Sequence, residues 1–266
     1  MSRKLLLLLA AASCSSAEAQ PKSTPAPEAL YEMDTTAQPA PAAGSALDRI
    51  LKSLQVRVCV RSDVAPFGYF NDHGLAGFDI ALAQQVVDQL GIDYKQSLKI
   101  EYVVVTSAER IPRLKAGACD FEVAALSYTA ARAKEIGMSK VYTRSDKVLL
   151  ASTKAPRPTP VIAVLEGATA PTTGVKGTTR AFRTYQDMVH AMDMGEIDYV
   201  ATDRPIAEHL MRSTINGFKI DKVLAANAES YVVATPLGSD MLVAINRALD
   251  DLAQTGRLAL LDRRWL

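Results

Sequence analysis

The sequence predicts an α/β fold. Strand-like apolar runs alternate with helical apolar stripes from about residue 55 onward, the pattern of strands joined by helices. Glycines stop the stripes, as at Gly91, Gly117 and Gly256, where a helix C-terminus favours them. A Pro-rich segment containing Pro156, Pro158 and Pro160 splits the pattern into two sets.

In the first set, residues 56–60 read as a strand. Ile80, Ala83, Val86, Val87 and Leu90 form a helical stripe over residues 79–90. Residues 102–105 form a second strand, 108–116 a short helix, 121–126 a third strand and 148–150 a fourth. In the second set, residues 161–165, 180–184 and 197–201 read as strands, and 188–194 lies in a helix. Residues 205–211 form another helix, with Pro205 near its start, where a missing N–H costs nothing. A strand at 231–233 precedes a helix over 240–254. Its apolar face is Leu242, Ile245, Leu249 and Leu252, and Ser239 is placed to cap it. Such alternation implies a largely parallel sheet.

The N-terminus points to export. Arg3 and Lys4 precede an apolar run from Leu5 to Ala12, and Ala17-Glu18-Ala19 is a small-x-small cleavage signal, so residues 1–19 read as a signal peptide. The run is shorter than the roughly 20 apolar residues a spanning helix needs. Cys14 after Ala11-Ala12-Ser13 allows a second reading, a lipoprotein anchored in the membrane. Residues 20–53 are read as a flexible linker, because their Pro, Ala, Ser and Thr content buries too little apolar surface to offset ordering entropy. Formal charge is +1 for the whole chain, so no basic footprint argues for nucleic acid. Cys59 and Cys119 are expected to pack as small apolar residues rather than to pair.

From Val56 to Leu266 the chain resembles the periplasmic solute-binding proteins, family 3, of polar amino-acid ABC transporters. The resemblance is carried in order by Val56-Arg57-Val58, Pro66-Phe67-Gly68-Tyr69, Gly77-Phe78-Asp79-Ile80, Arg110-Ile111-Pro112, Ser127-Tyr128-Thr129-Ala130-Ala131-Arg132 and Gly195-Glu196-Ile197-Asp198-Tyr199-Val200-Ala201-Thr202-Asp203. It implies a type II periplasmic-binding-protein fold: two α/β lobes joined by two crossing strands, with the ligand between them. Lobe 1 would be residues 54–150 plus 233–266, and lobe 2 residues 153–230. It also implies a periplasmic, monomeric receptor that binds a small amino acid and delivers it to a membrane ABC permease, with no cofactor, metal or catalysis of its own.

An amino acid is a zwitterion, and burying it requires partners of both signs. The resemblance assigns Arg132 to the α-carboxylate, where a planar guanidinium makes paired charge-assisted bonds, with the Ser127 hydroxyl beside it. It assigns Asp203, directly after a strand, to the ammonium group. Arg61, Ser107 and Arg110 resemble ligand contacts of the glutamate/aspartate-binding branch. Arg61, Arg110, Arg132 and Asp203 sum to +3 − 1 = +2, which suits an acidic amino acid. Two further contacts are implied: Thr169 in Gly167-Ala168-Thr169, with Gly177-Thr178-Thr179 as an alternative match, and Tyr185 where that branch has a histidine. Ala125 stands where the branch has a serine, so one hydroxyl is lost.

Two rival functions share the scaffold. One is a cyclohexadienyl (arogenate or prephenate) dehydratase-like enzyme, which needs a cleft acid; Glu122 and Glu166 are its candidates. The other is a sensory amino-acid-binding protein.

Overall fold

The chain is described by a computed structural model that covers residue 38 and residues 40–169, 174–213 and 217–266. The expected signal peptide, Cys14 and residues 20–37 lie outside the described residues. The linker expectation fails for its last stretch. Helix α1 (Ala46–Ser53) forms there, with the Ser45 side chain accepting from the Asp48 N–H and with Leu47 and Ile50 buried. Two core-facing side chains and a cap outweigh the alanine-rich background that suggested disorder.

Strand β1 (Gln55–Val60) buries Val56, Val58, Cys59 and Val60, so both of its faces are covered, as expected for an inner strand of a helix-covered sheet. Three short strands follow, β2 (Asp63–Val64), β3 (Gly68–Asn71) and β4 (Gly74–Ala76), which pair as a small antiparallel sheet. The turn into α2 (Phe78–Tyr94) passes through Gly77 at φ 126°, where an added Cβ would lie 2.2 Å from the Phe67 carbonyl oxygen. Only glycine fits that approach. Helix α2 does not stop at Gly91 but at Lys95, which takes the left-handed conformation that closes helices.

Next come β5 (Lys99–Val104), α3 (Arg110–Lys115), β6 (Phe121–Val123) and the long β7 (Ile136–Ser152). The second half holds β8 (Val161–Leu165), β9 (Thr178–Phe182), α4 (Tyr185–Asp193), β10 (Tyr199–Asp203) and α5 (Arg204–Ser213). The chain ends with the long β11 (Phe218–Pro236), α6 (Met241–Gln254) and α7 (Arg257–Trp265).

The main sheet has the order β5-β1-β6-β11-β7-β10-β8-β9. One lobe carries β5, β1 and β6, and the other carries β10, β8 and β9. Strands β7 and β11 run antiparallel through both and join them. Within each lobe the pairs are parallel, but the sheet as a whole is mixed rather than largely parallel. Each crossing strand is longer than its apolar core, which is why residues 148–150 and 231–233 alone were legible. The β7–β11 ladder slips in register between Ala225 and Glu229, a bulge that bends the ribbon where it leaves one lobe for the other. Residues Leu82, Val86 and Leu90 of α2 pack in one core with Ile245, Leu249 and Leu252 of α6.

The cysteines contradict the expectation. Cys59 and Cys119 form a disulfide with their Cα atoms 5.5 Å apart. Strands β1 and β6 are parallel neighbours, and that pairing carries Cys119, two residues before β6, to within bridging distance of β1.

Candidate ligand-binding site

The strand C-termini of both lobes open on one small cavity of about 70 Å³, the place where ligands bind in open α/β sheets. Lobe 1 lines it with Arg61 after β1, Ser107 and Arg110 around the start of α3, and Ala125 and Ser127 after β6. Lobe 2 lines it with Thr169, Tyr185 at the start of α4, and Thr202 and Asp203 at the end of β10. Seven of the eight residues expected from the sequence therefore share this wall. Thr169 is on it, whereas Thr178 and Thr179 sit in β9.

Arg132 is the exception. Its Nη1 donates to the Ser127 carbonyl at 2.8 Å and its Nη2 to the Gly167 carbonyl at 2.9 Å. It ties the two lobes together beside the cavity rather than lining it. Two carbonyls within reach of one planar fork explain the position. Arg110 does the same from inside: Nη1 donates to the Ala124 and Ala125 carbonyls at 2.7 and 2.9 Å, and Nη2 to Gly167 at 3.2 Å. Its Nε and the Ser107 hydroxyl are buried without a partner. Ala125 reaches its place with φ at 48°, uncommon for a residue with a side chain. Its N–H donates to Asp79 at 2.6 Å.

Arg61 is 2% exposed and forms a two-pronged pair with Asp63 at 2.9 and 2.8 Å. Asp203 is not free either. The β10–β7 register sets it directly opposite Lys147, whose Nζ lies 2.7 Å from Asp203 Oδ1 and 2.9 Å from Glu229 Oε1. The Tyr231 hydroxyl donates to the other Asp203 oxygen. The Thr169 hydroxyl donates to Glu229 at 3.2 Å, and the Ser127 hydroxyl also bonds Glu229. Tyr185 shares a 2.7 Å hydrogen bond with Thr202, and burial lifts its phenol to about 12.

Sequence reasoning missed Asp63, Lys147 and Glu229, so its sum of +2 omits one cation and two anions. A charged residue in a strand reads as solvent-facing, and only the pairing of β7 with β10 and β11 brings 147, 203 and 229 together. On the cavity wall itself, Arg61, Arg110 and Lys147 stand against Asp203. Burial pulls the Lys147 pKa down, but its two carboxylates outweigh this and hold it above the ordinary value. Burial pushes Asp203 up, against the pull of Lys147.

Two carboxyl groups lie buried beneath the wall. Glu122 is wholly inaccessible, with no partner on either oxygen, and burial lifts its pKa to about 7 despite Arg110 and Arg132. Asp79, held by the Tyr142 hydroxyl at 2.8 Å, rises to about 6 for the same reason. Neither Glu122 nor the exposed Glu166 lines the cavity, so the two glutamates considered as cleft acids do not face it.

These groups set a pH dependence. Glu122 binds its proton more tightly folded than unfolded, so stability falls as pH rises from 4.5, its ordinary pKa, to about 7. Glu122→Gln is expected to be about 2 kcal/mol more stable than the parent at pH 8, with the gain vanishing towards pH 4.5. Urea unfolding at both pH values checks this; an offset independent of pH would contradict it.

Two lobes, two crossing strands and a charged interlobe cavity define a substrate-binding protein of the periplasmic-binding type. The chain belongs to the bacterial extracellular solute-binding proteins, family 3, whose profile matches residues 56–266. It is similar to the ABC transporter glutamine-binding protein GlnH of Bacillus subtilis, 28% identical over 224 residues that cover 78% of this chain and 79% of that one. It is also similar to the glutamate/aspartate import solute-binding protein of Escherichia coli, 32% identical over 102 residues that cover 38% of this chain and 34% of that one. Among solved structures, a mutant of ArgBP from T. maritima superposes with a TM-score of 0.72 at 23% identity, covering 83% of this chain and 98% of that one. That likeness concerns the fold alone.

Proposed function

We propose that the chain is the extracytoplasmic, periplasmic receptor of an ABC importer, closing its two lobes over a small acidic ligand of the size of glutamate or aspartate and presenting it to a membrane permease. The observation that carries this reading is the cavity wall, where Arg110 donates only to backbone carbonyls while Arg61 and Lys147 are held by Asp63, Asp203 and Glu229. A buried guanidinium without a carboxylate partner favours a ligand carboxylate, and a buried anion is tolerated only where such a partner waits for it. Two residues of that wall also hold buried donors without partners, the Arg110 Nε and the Ser107 hydroxyl. The E. coli relative named for glutamate and aspartate supports the same ligand size. No described helix is long and apolar enough to cross a membrane.

Closure follows from the ligand contacting both lobes, so that it stabilises the state in which they meet. Calorimetry with glutamate, aspartate, glutamine and arginine tests the reading. The acidic pair is expected to bind more tightly than the other two, and Arg110→Met to weaken that binding by about 100-fold, roughly 2.7 kcal/mol. A preference for glutamine or arginine would sink the acidic reading.

A further inference from the structure

Asp203 stands where the family resemblance puts the partner of a ligand ammonium, yet this chain supplies an ammonium of its own. Lys147 Nζ lies 2.7 Å from Asp203 and 2.9 Å from Glu229. The lysine cannot easily be elsewhere. Its backbone is paired directly with Asp203 across the β7–β10 ladder, and its side chain is 9% exposed. The remaining oxygens of both acids are also taken, by Tyr231 on Asp203 and by Thr169 on Glu229. A ligand ammonium would have to displace Lys147 from Asp203 and leave a buried cation short of a partner, which is strongly unfavourable. A ligand without that ammonium displaces nothing: Lys147 keeps Asp203 and Glu229, and Arg110, which donates only to backbone carbonyls, remains on the wall to meet a ligand carboxylate.

We infer that Lys147 is the specificity-determining residue of the cleft, and that it turns the site from amino acids towards small dicarboxylates that carry no α-ammonium group. The inference rests on the proposed capture of acidic ligands and narrows it.

Pairs of ligands that differ only by the ammonium test it: aspartate against succinate, and glutamate against glutarate, titrated calorimetrically into the wild-type protein. The deaminated member of at least one pair is expected to bind tenfold or more tightly than its parent, about 1.4 kcal/mol. Lys147→Met is expected to shrink or reverse that ratio by freeing Asp203. Tighter binding of the amino acid in both pairs overturns the inference and leaves the proposed acidic capture standing. Binding by none of the four removes the acidic capture itself, and the inference with it. An unchanged ratio in a folded Lys147→Met protein also overturns the inference. Should that variant not fold, the wild-type ratios decide alone.

Discussion

Replacing Cys59 and Cys119 together by alanine is expected to cost about 4 kcal/mol of stability, the loss that chain-entropy arguments give for a loop of this length. The bridge spans 60 residues of sequence, so without it the unfolded chain regains a large conformational freedom. The native state loses little else. Both cysteines are buried among Val105, Leu114, Leu126 and Ile136, and alanine leaves only small voids there. The cost should appear as a lower denaturant midpoint with an altered slope, because the unfolded ensemble expands. The parent treated with a reductant under denaturing conditions should match the double variant. If the two cysteines contributed only as small apolar side chains, reduction would leave the midpoint unchanged.

The same bridge shows what a one-dimensional reading can and cannot see. The alternation of strands and helices is written in side-chain periodicity, so Val56, Val58 and Val60, or Val86 and Leu90, announce their elements locally. Pairing between strands is not written that way. That β6 lies beside β1 depends on the order in which the sheet is wound, and with it the meeting of Cys59 and Cys119. Strand β2 has two residues, too few to carry any period, so it and its small sheet were invisible. The site divides along the same line. Seven of its expected residues lie at or just beyond strand ends or at the start of the next helix, in motifs, and they meet at one cavity because strand ends share an edge. Lys147 and Glu229 lie inside long strands, and their partnership with Asp203 is fixed by register alone. Arg132 has a motif, but which oxygen its guanidinium takes depends on Gly167, which comes from the other lobe.

Gly167→Ala is expected to weaken ligand binding by about a thousandfold, roughly 4 kcal/mol, while leaving each lobe folded. Gly167 sits in the loop after β8 with φ at 74°, and a Cβ there would lie 2.6 Å from the Ser107 carbonyl oxygen and 2.8 Å from the Ala108 Cα and N. Those atoms are backbone of the opposite lobe, so no side-chain rotation relieves the clash. The lobes would have to part at this point. The Gly167 carbonyl would then leave Arg110 and Arg132, which both donate to it, and two charge-assisted bonds would go with it. The left-handed backbone adds strain of about 1 kcal/mol for alanine, but that cost falls equally on open and closed forms and does not affect binding. Gly117→Ala isolates it, since Gly117 has a similar φ of 73° and open space around its Cβ position. The control should lose a little stability and no affinity. Calorimetry on both variants, with small-angle scattering to follow compaction, separates the effects. Equal affinities for the two variants would mean that the meeting of Gly167 with Ser107 and Ala108 has no part in holding the ligand.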